Sequence, residues 1–143
     1  MRKSFISFFL LGIISLFMAA CKKEAGEGGT SSIKGNVWAR FHDKNAGYNV
    51  INSYKGTDID VYIVYGDEVS YGDRIKTDYE GDFEFKYLRN GKYKVYVYSE
   101  DSAAIVATNP LNLNAPLKAV IAEVEVSGKK TTVDAGTLTI LTH

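Results

Sequence analysis

The stretch Thr77–Ser99 constrains the fold more than any other part of the chain, because it contains two alternating runs joined by a short link. In residues 83–87 aromatic side chains alternate with charged ones, and in residues 93–97 an apolar residue occupies every second position. Alternation with a period of two is typical of a strand with one buried face. The stretch therefore predicts two half-buried strands, and the way in which they are linked decides the architecture.

The link contains Asn90-Gly91, a dipeptide that by itself favours a two-residue hairpin turn. A hairpin at this position would set Glu84 opposite Val97, and opposed residues share a face of the sheet. Charged side chains would then lie beside the valines of the core. If the two strands belong to facing sheets instead, both apolar faces point into one core and residues 88–92 form the corner between them. We therefore predict a sandwich crossover rather than a hairpin.

Alternating runs continue along most of the chain after residue 32, and no helical stripe occurs there. A run at Tyr48–Tyr54 allows an additional short edge strand. The apolar phase of the last run shifts across Gly136, which predicts a β-bulge. Seven strands with turn signals at short spacing are typical of an all-β, seven-stranded Greek-key sandwich. The seven predicted strands are Ile33–Phe41, Asp58–Tyr65, Arg74–Thr77, Phe83–Tyr87, Tyr93–Ser99, Leu117–Val126 and Thr131–Leu141.

The order T-D-x-x-G-x-F-x-F-x-x-L-x-x-G-x-Y-x-V-x-V runs from Thr77 to Val97. It resembles the carboxypeptidase regulatory-like domains, a transthyretin-like class of β-sandwich, and the resemblance spans residues 33–141. The position of Tyr93 also resembles the tyrosine corner of immunoglobulin-like sandwiches, in which the hydroxyl bonds to upstream backbone. Arg89-Asn90 stands where family members often carry a proline. The resemblance implies a transthyretin-like or immunoglobulin-like sandwich without the catalytic domain of the carboxypeptidases.

Residues 1–20 are predicted to be a signal peptide. Arg2 and Lys3 precede an apolar run, 5–20, that is shorter than the roughly 20 residues a helix needs to cross a bilayer. Small residues then precede Cys21, the one cysteine of the chain, in an order that resembles the lipobox of bacterial lipoproteins. The resemblance implies cleavage before Cys21 and a lipid on its thiol, and a lone cysteine has no internal disulfide partner. An ordinary secretory signal with an unmodified cysteine is the alternative.

Residues 21–32 are rich in glycine, serine and charge, and we expect a flexible tether that begins with lipidated Cys21. Residues 33–143 are then the sandwich domain. Two or more acyl chains would hold the protein stably on a membrane. Lys22 directly after the cysteine resembles lipoproteins that are sorted to the outer membrane. We therefore expect a lipid-anchored protein of the bacterial cell envelope, on either face of the outer membrane.

Charge and motifs exclude several classes of function. Arg2 and Lys3 are the basic residues that precede Cys21, and all 17 acidic residues follow it, which leaves the mature chain a net charge of about −2. No basic stripe indicates nucleic-acid binding. Neither His42 nor His143 stands in a nucleophile motif, and no H-x-x-E zinc pair occurs. The sequence therefore predicts a protein that is not an enzyme and has no cofactor.

An acidic turn is one of two ligand signals in the sequence. Asp78, Glu80 and Asp82 alternate in D-Y-E-G-D, and calcium is bound by oxygens of flexible turns. The spacing of glycine and glutamate differs from that of a calcium loop. The alternative is a solvated turn in which Asp78 bonds to backbone amides near Gly81.

Exposed aromatic rings are the second signal. Rings on a sheet can hold sugars by stacking, but they also form cross-strand pairs or contact a protein. We predict a non-catalytic binding or accessory module that contacts an envelope protein, and a carbohydrate-binding lipoprotein is the alternative. The predicted ligand-facing rings are Trp38, Tyr48, Tyr54, Tyr62, Tyr96 and Tyr98.

Overall fold

Eight strands make up the part of the chain that the computed structural model describes, residues 24–43, 49–101 and 116–142. The all-β class is confirmed, and the edge strand that the sequence left optional is formed as the second strand. None of the described residues belongs to a helix that could span a membrane. The strands are β1 Glu27–His42, β2 Val50–Lys55, β3 Asp60–Tyr65, β4 Asp73–Lys76, β5 Asp82–Leu88, β6 Gly91–Glu100, β7 Leu117–Val126 and β8 Thr132–Thr142.

The strands form two four-stranded sheets, which we call sheet A and sheet B. In sheet A the long strand β1 pairs with β8 in parallel, and with β5 and then β2 in antiparallel fashion. Along β1, the antiparallel partner strand changes from β5 to β2 at Val37. The Val37 amide donates to the Gly81 carbonyl, and the Val37 carbonyl accepts from the Gly56 amide. Sheet B has the antiparallel order β4-β3-β6-β7.

The predicted crossover is confirmed, because β5 lies in sheet A and β6 in sheet B. Phe83 and Phe85 point into the core from one sheet, and Tyr93 and Val95 from the other, each no more than 4 % exposed. The prediction was wrong for Tyr87, which was expected on the apolar face and is 72 % exposed. Its φ of 60° turns the chain out of regular alternation, so that the next residue fills the core position.

The bulge predicted in the last strand is confirmed at Gly136. Between β1 and β8, Lys34 lies opposite Asp134 and Asn36 opposite Thr137, so that three steps of β8 face two of β1. Gly136 has a φ of 75°, which glycine adopts without strain. The extra residue restores the apolar phase, so that buried Leu138 and Ile140 after it face the same core as the partly buried Val133 and Ala135 before it.

The sandwich begins earlier than the predicted boundary at residue 33, because β1 starts at Glu27. Residues 27–32 carry no large apolar side chain, and polar contacts to the β7–β8 turn hold them instead. The Ser32 amide donates to the Thr131 carbonyl at 2.9 Å, and the Lys130 amide donates to Thr30 Oγ1 at 3.2 Å. The predicted tether 21–32 therefore overlaps the first strand.

Tyr93 fixes the chain just before that strand and forms the predicted tyrosine corner. Its hydroxyl donates to the Arg89 carbonyl at 2.6 Å and accepts from the Gly26 amide at 3.0 Å. The Arg89 amide donates in turn to the Gly26 carbonyl at 2.8 Å. Burial raises the pKa of the Tyr93 phenol, which keeps it a neutral donor. One side chain thus joins the β5–β6 corner to the start of β1.

Candidate functional site

Three of the six predicted rings converge on the outer surface of sheet B. Tyr62 on β3 lies directly opposite Tyr96 on β6, and their rings are stacked with centroids 5.0 Å apart and planes 11° apart. Tyr98 approaches both rings edge-on at 5.6 Å. Tyr71 meets Tyr62 edge-on at 5.1 Å. We call these four side chains the tyrosine face.

Strand register brings the rings together and extends the surface across the whole sheet. Arg74 on β4 lies opposite Tyr62, and Ile121 on β7 lies opposite Tyr96, so that one row crosses all four strands. Tyr71 is 52 % exposed, Tyr98 46 % and Ile121 54 %. Scattered exposed apolar residues are ordinary, but a contiguous strip of this kind indicates a contact surface.

Tyr71 was not among the sequence candidates, because it lies in the β3–β4 connection and belongs to no alternating run. Its contact with Tyr62 depends on how that connection folds over the sheet. The sequence does place Tyr71 close to the start of a predicted short strand. This position indicates a contact with Tyr62 only when that strand, β4, is known to pair with β3.

The electrostatics of the tyrosine face favour a neutral Tyr96 phenol beside a fixed cation, Arg74. Burial, followed by the neighbouring Tyr98, raises the pKa of Tyr96. A hydrogen bond to Tyr62, followed by attraction to Asp60, raises the pKa of the Arg74 guanidinium. The Arg74 Nε atom lies 3.8 Å from Asp60 Oδ1. The face therefore offers phenol hydroxyls, ring edges and one guanidinium to a partner.

The remaining predicted rings do not join this face. Trp38 lies opposite Lys55 and Tyr54 lies opposite Ala39, so Trp38 and Tyr54 point to opposite faces of sheet A. The Tyr54 hydroxyl lies 3.1 Å from Thr142 Oγ1. Tyr48 lies outside the described residues. The five predicted rings that the structure describes therefore lie in three places, the tyrosine face and the two faces of sheet A, because pairing with β1 places β2 in the other sheet.

The acidic turn has the solvated geometry that the sequence offered as the alternative to calcium. Asp78 Oδ1 accepts from the amides of Glu80 and Asp82, each at 2.9 Å. Asn36 Nδ2 donates to Asp82 Oδ1 at 2.7 Å, and the Glu80 carboxylate pairs with Lys55. In residues 24–43, 49–101 and 116–142, no three His, Cys, Asp or Glu side chains are grouped to hold a metal.

A shallow polar cleft of about 660 Å³ lies on the outer surface of sheet A, beside the acidic turn. Lys34 and Asn36 of β1 form its floor together with Asp82 and Glu84 of β5. Asp134 of β8 borders it and accepts from the Gly136 amide at 2.8 Å. No aromatic ring is exposed in this cleft, because Phe83 beneath it is buried. The cleft therefore lacks the stacking surface that favours sugars.

His42, expected in a loop, is instead the last residue of β1 and is 1 % exposed. Its Nε2 atom lies 2.7 Å from Oε2 of Glu100, which ends β6 and is also buried. The pair joins the two sheets at the end of the sandwich opposite to Gly26. Because both groups are removed from water and bonded to each other, a structural role explains the pair.

No protein-family model and no curated protein matches this chain. One similar solved structure is that of a Pseudomonas aeruginosa protein whose carbohydrate-binding function is itself a proposal; it has a TM-score of 0.47 and 17 % identity, over 80 % of this chain and 91 % of that one. A 9R-lipoxygenase from Cyanothece PCC8801 has a TM-score of 0.36 and 17 % identity, over 88 % of this chain and 20 % of that one. Similarities this distant carry no functional assignment.

Proposed function

We propose that this protein is a non-catalytic binding module, held on the bacterial outer membrane by a lipid on Cys21, that binds a protein partner through the tyrosine face. The observation that carries the proposal is the row Arg74–Tyr62–Tyr96–Ile121 on the outer surface of sheet B, which is exposed at both ends and half-buried at its two tyrosines. Tyrosine and arginine are enriched in the central residues of protein interfaces. The motif order in residues 77–97 supports membership of the carboxypeptidase regulatory-like sandwiches.

The packing of the rings favours a protein over a sugar. Tyr62 and Tyr96 cover one face of each other by stacking, and Tyr98 stands edge-on to both. A sugar stacks on a flat ring face that is open to solvent, whereas protein side chains can pack against ring edges and bond to phenol hydroxyls. Exposed Ile121 adds an aliphatic contact that a sugar would not use.

Photocrosslinking tests the protein partner. A photoreactive phenylalanine analogue replaces Tyr98 in the full-length protein within its native envelope, and the same analogue replaces Tyr79 as the matched control, since Tyr79 is 88 % exposed but lies in the acidic turn. We expect a discrete crosslinked protein from position 98 and none from position 79, and Tyr96→Ser should weaken the product. The absence of any discrete product from position 98, or equal products from both positions, would refute the proposal.

Carbohydrate binding is the second candidate, and the exposed rings of Tyr71 and Tyr98 favour it. A glycan array probed with the soluble domain distinguishes the two functions. Binding that Tyr71→Ser and Tyr98→Ser both abolish would support the sugar and refute the protein partner as the main ligand. An array without binding, together with a specific crosslink from position 98, would exclude it.

The lipid anchor has its own test. Cys21→Ser removes the acceptor thiol, so the variant should shift from the membrane fraction to the soluble fraction after cell lysis. Incorporation of a labelled fatty acid into the wild type, but not into the variant, would support the anchor. A variant that stays in the membrane fraction would contradict it.

A further inference from the structure

The fold leaves little free chain between the proposed anchor and the sandwich. Ala25 packs against the core, and Gly26 is bonded to Tyr93 and Arg89. An added Cβ on Gly91 would come within 2.7 Å of the Ala25 Cβ, which shows how closely Ala25 is packed. Residues 25 and 26 therefore belong to the folded body, and the linker from Cys21 contains residues 22–24 alone.

This linker is short compared with the sandwich. The four steps from Cys21 to Ala25 span at most about 14 Å, even when fully extended. Strand β1 has 16 residues, which at about 3.3 Å each give a length of roughly 50 Å. A lipid on Cys21 would therefore keep one end of the sandwich near the headgroups and leave the other end far from them.

Three connections lie at the same end of the sandwich as Ala25 and Gly26, and we call this end the proximal pole. They are the β5–β6 corner at residues 89–90, the β3–β4 turn at residues 66–68 and the β7–β8 turn at residues 127–131. The Gly66 amide donates to the Lys92 carbonyl, which joins the second connection to β6. The hydrogen bond from Lys130 to Thr30 joins the third connection to β1.

Charge does not set the orientation of this pole. The exposed basic side chains there are Arg89, Lys92, Lys129 and Lys130, and the exposed acidic ones are Glu24, Glu27, Asp67 and Glu68. Because both signs are present, the attraction to anionic lipids is largely cancelled. The length of the linker, rather than the electrostatic field, decides which surface meets the membrane.

We propose that the proximal pole is a membrane-facing surface, which rests against phospholipid headgroups while β1 runs away from the bilayer. This inference rests on the lipid anchor of the proposed function. It differs from the expectation of a flexible tether over residues 21–32, because the first strand takes up half of that segment. The tyrosine face then stands on the side of the body and is open to a partner in the same membrane.

Energy transfer to lipid-borne acceptors tests this orientation. The lipidated full-length protein is placed on phosphatidylcholine vesicles that carry an acceptor dye on their headgroups. A donor dye is attached at Lys129→Cys on the proximal pole or at Asn52→Cys, which lies opposite Phe41 near the far end of β1. The Cys21 thiol is consumed by the lipid and leaves one site for the dye. From Thr30 to Phe41 the strand rises about 36 Å, so quenching at position 129 should be at least about twice that at position 52.

Equal quenching at both positions, or stronger quenching at position 52, would overturn the inference. Insertion of 15 Gly and Ser residues between Glu24 and Ala25 should reduce the difference, because it restores a long tether. Flotation with the vesicles separates the two possible failures. Protein that floats but shows equal quenching refutes the orientation alone, whereas protein that does not float refutes the anchor and the orientation with it.

Discussion

The bonds of Tyr93 should contribute measurably to stability, and Tyr93→Phe isolates them because the ring stays in place. The hydroxyl accepts from the Gly26 amide and donates to the Arg89 carbonyl. Gly26 is buried, so its amide would lose its partner away from water, at a cost of about 1–3 kcal/mol. Arg89 is exposed and its carbonyl can bond to water, so that loss costs about 1 kcal/mol or less. We therefore expect a loss of about 1–4 kcal/mol in the free energy of unfolding.

Urea unfolding of the soluble domain measures this change, and thermal unfolding should show a Tm lower by roughly 10 °C. Tyr87→Phe is the matched control, because it removes the same hydroxyl from an exposed ring next to the same corner. The control should stay within about 0.5 kcal/mol of the wild type. Hydrogen exchange should also show faster exchange of the amides in residues 26–31, since the start of β1 loses its attachment.

Two results would refute this reasoning. If Tyr93→Phe and Tyr87→Phe had equal effects, the corner bonds would contribute nothing beyond exposed hydroxyls. If Tyr93→Phe were destabilised but exchange in residues 26–31 were unchanged, the hydroxyl would not hold the start of β1. The same variant connects stability with orientation: on vesicles, a released segment lengthens the linker and should reduce the quenching difference between positions 129 and 52.

Three further predictions follow from the packing and charges. Gly35→Ala should lower the free energy of unfolding, measured in urea, by about 1–3 kcal/mol, because the added Cβ would lie 2.5 Å from Phe83 Cζ. An unchanged free energy of unfolding would refute the tight packing of the Phe83 ring against Gly35. Asp78→Ala should lower the free energy of unfolding by about 1 kcal/mol, because two amides of the turn lose their acceptor. Millimolar calcium should leave the Tm of the wild type unchanged, and a rise in Tm with calcium would support a metal in the acidic turn. Burial raises the pKa of Tyr65 and Tyr93 above the unfolded value of about 10, so these phenols add stability that is fully present below pH 10 and is lost as the pH rises through their folded pKa values. The urea midpoint should therefore fall as the pH rises above about 10, and less so in Tyr65→Phe; a midpoint that stays flat there would contradict this prediction.

Much of the fold could be predicted because its determinants are local patterns with a period of two. The crossover followed from the mismatch between Glu84 and Val97 in a hairpin, and the bulge followed from the phase shift at Gly136. The start of β1 could not be predicted in this way. Residues 27–32 have the composition of a linker, and their order comes from hydrogen bonds to the β7–β8 turn, 100 positions away in the chain. The prediction that Tyr87 faces the core was wrong for a related reason, since the positive φ of this single residue interrupts the alternation.

The candidate site was predictable only in part, because it depends on the register between strands. Alternation placed Tyr62 and Tyr96 on the polar side of their strands, and in the structure they stack on the outer surface of sheet B. Two arrangements were possible from the alternation alone: these rings could contact each other, or they could contact Trp38. The choice depends on which strands share a sheet. Pairing of β3 with β6 brought two rings together, and pairing of β1 with β2 kept Trp38 on the other sheet. Local sequence contains no information of this kind.

The tyrosine face and the proximal pole together restrict the kind of partner. Tyr96 lies five residues along β6 from Gly91, which at about 3.3 Å per residue places it roughly 17 Å above the pole. If a lipid on Cys21 anchors the protein as proposed, the linker adds at most about 14 Å, and this face stays within roughly 30 Å of the bilayer. A partner that uses the tyrosine face must therefore present its contact surface close to the headgroups, as an integral or lipid-anchored protein does. A crosslink from position 98 should consequently be found with membrane-associated proteins and should be lost when the long insertion after Glu24 allows the body to tilt and move away.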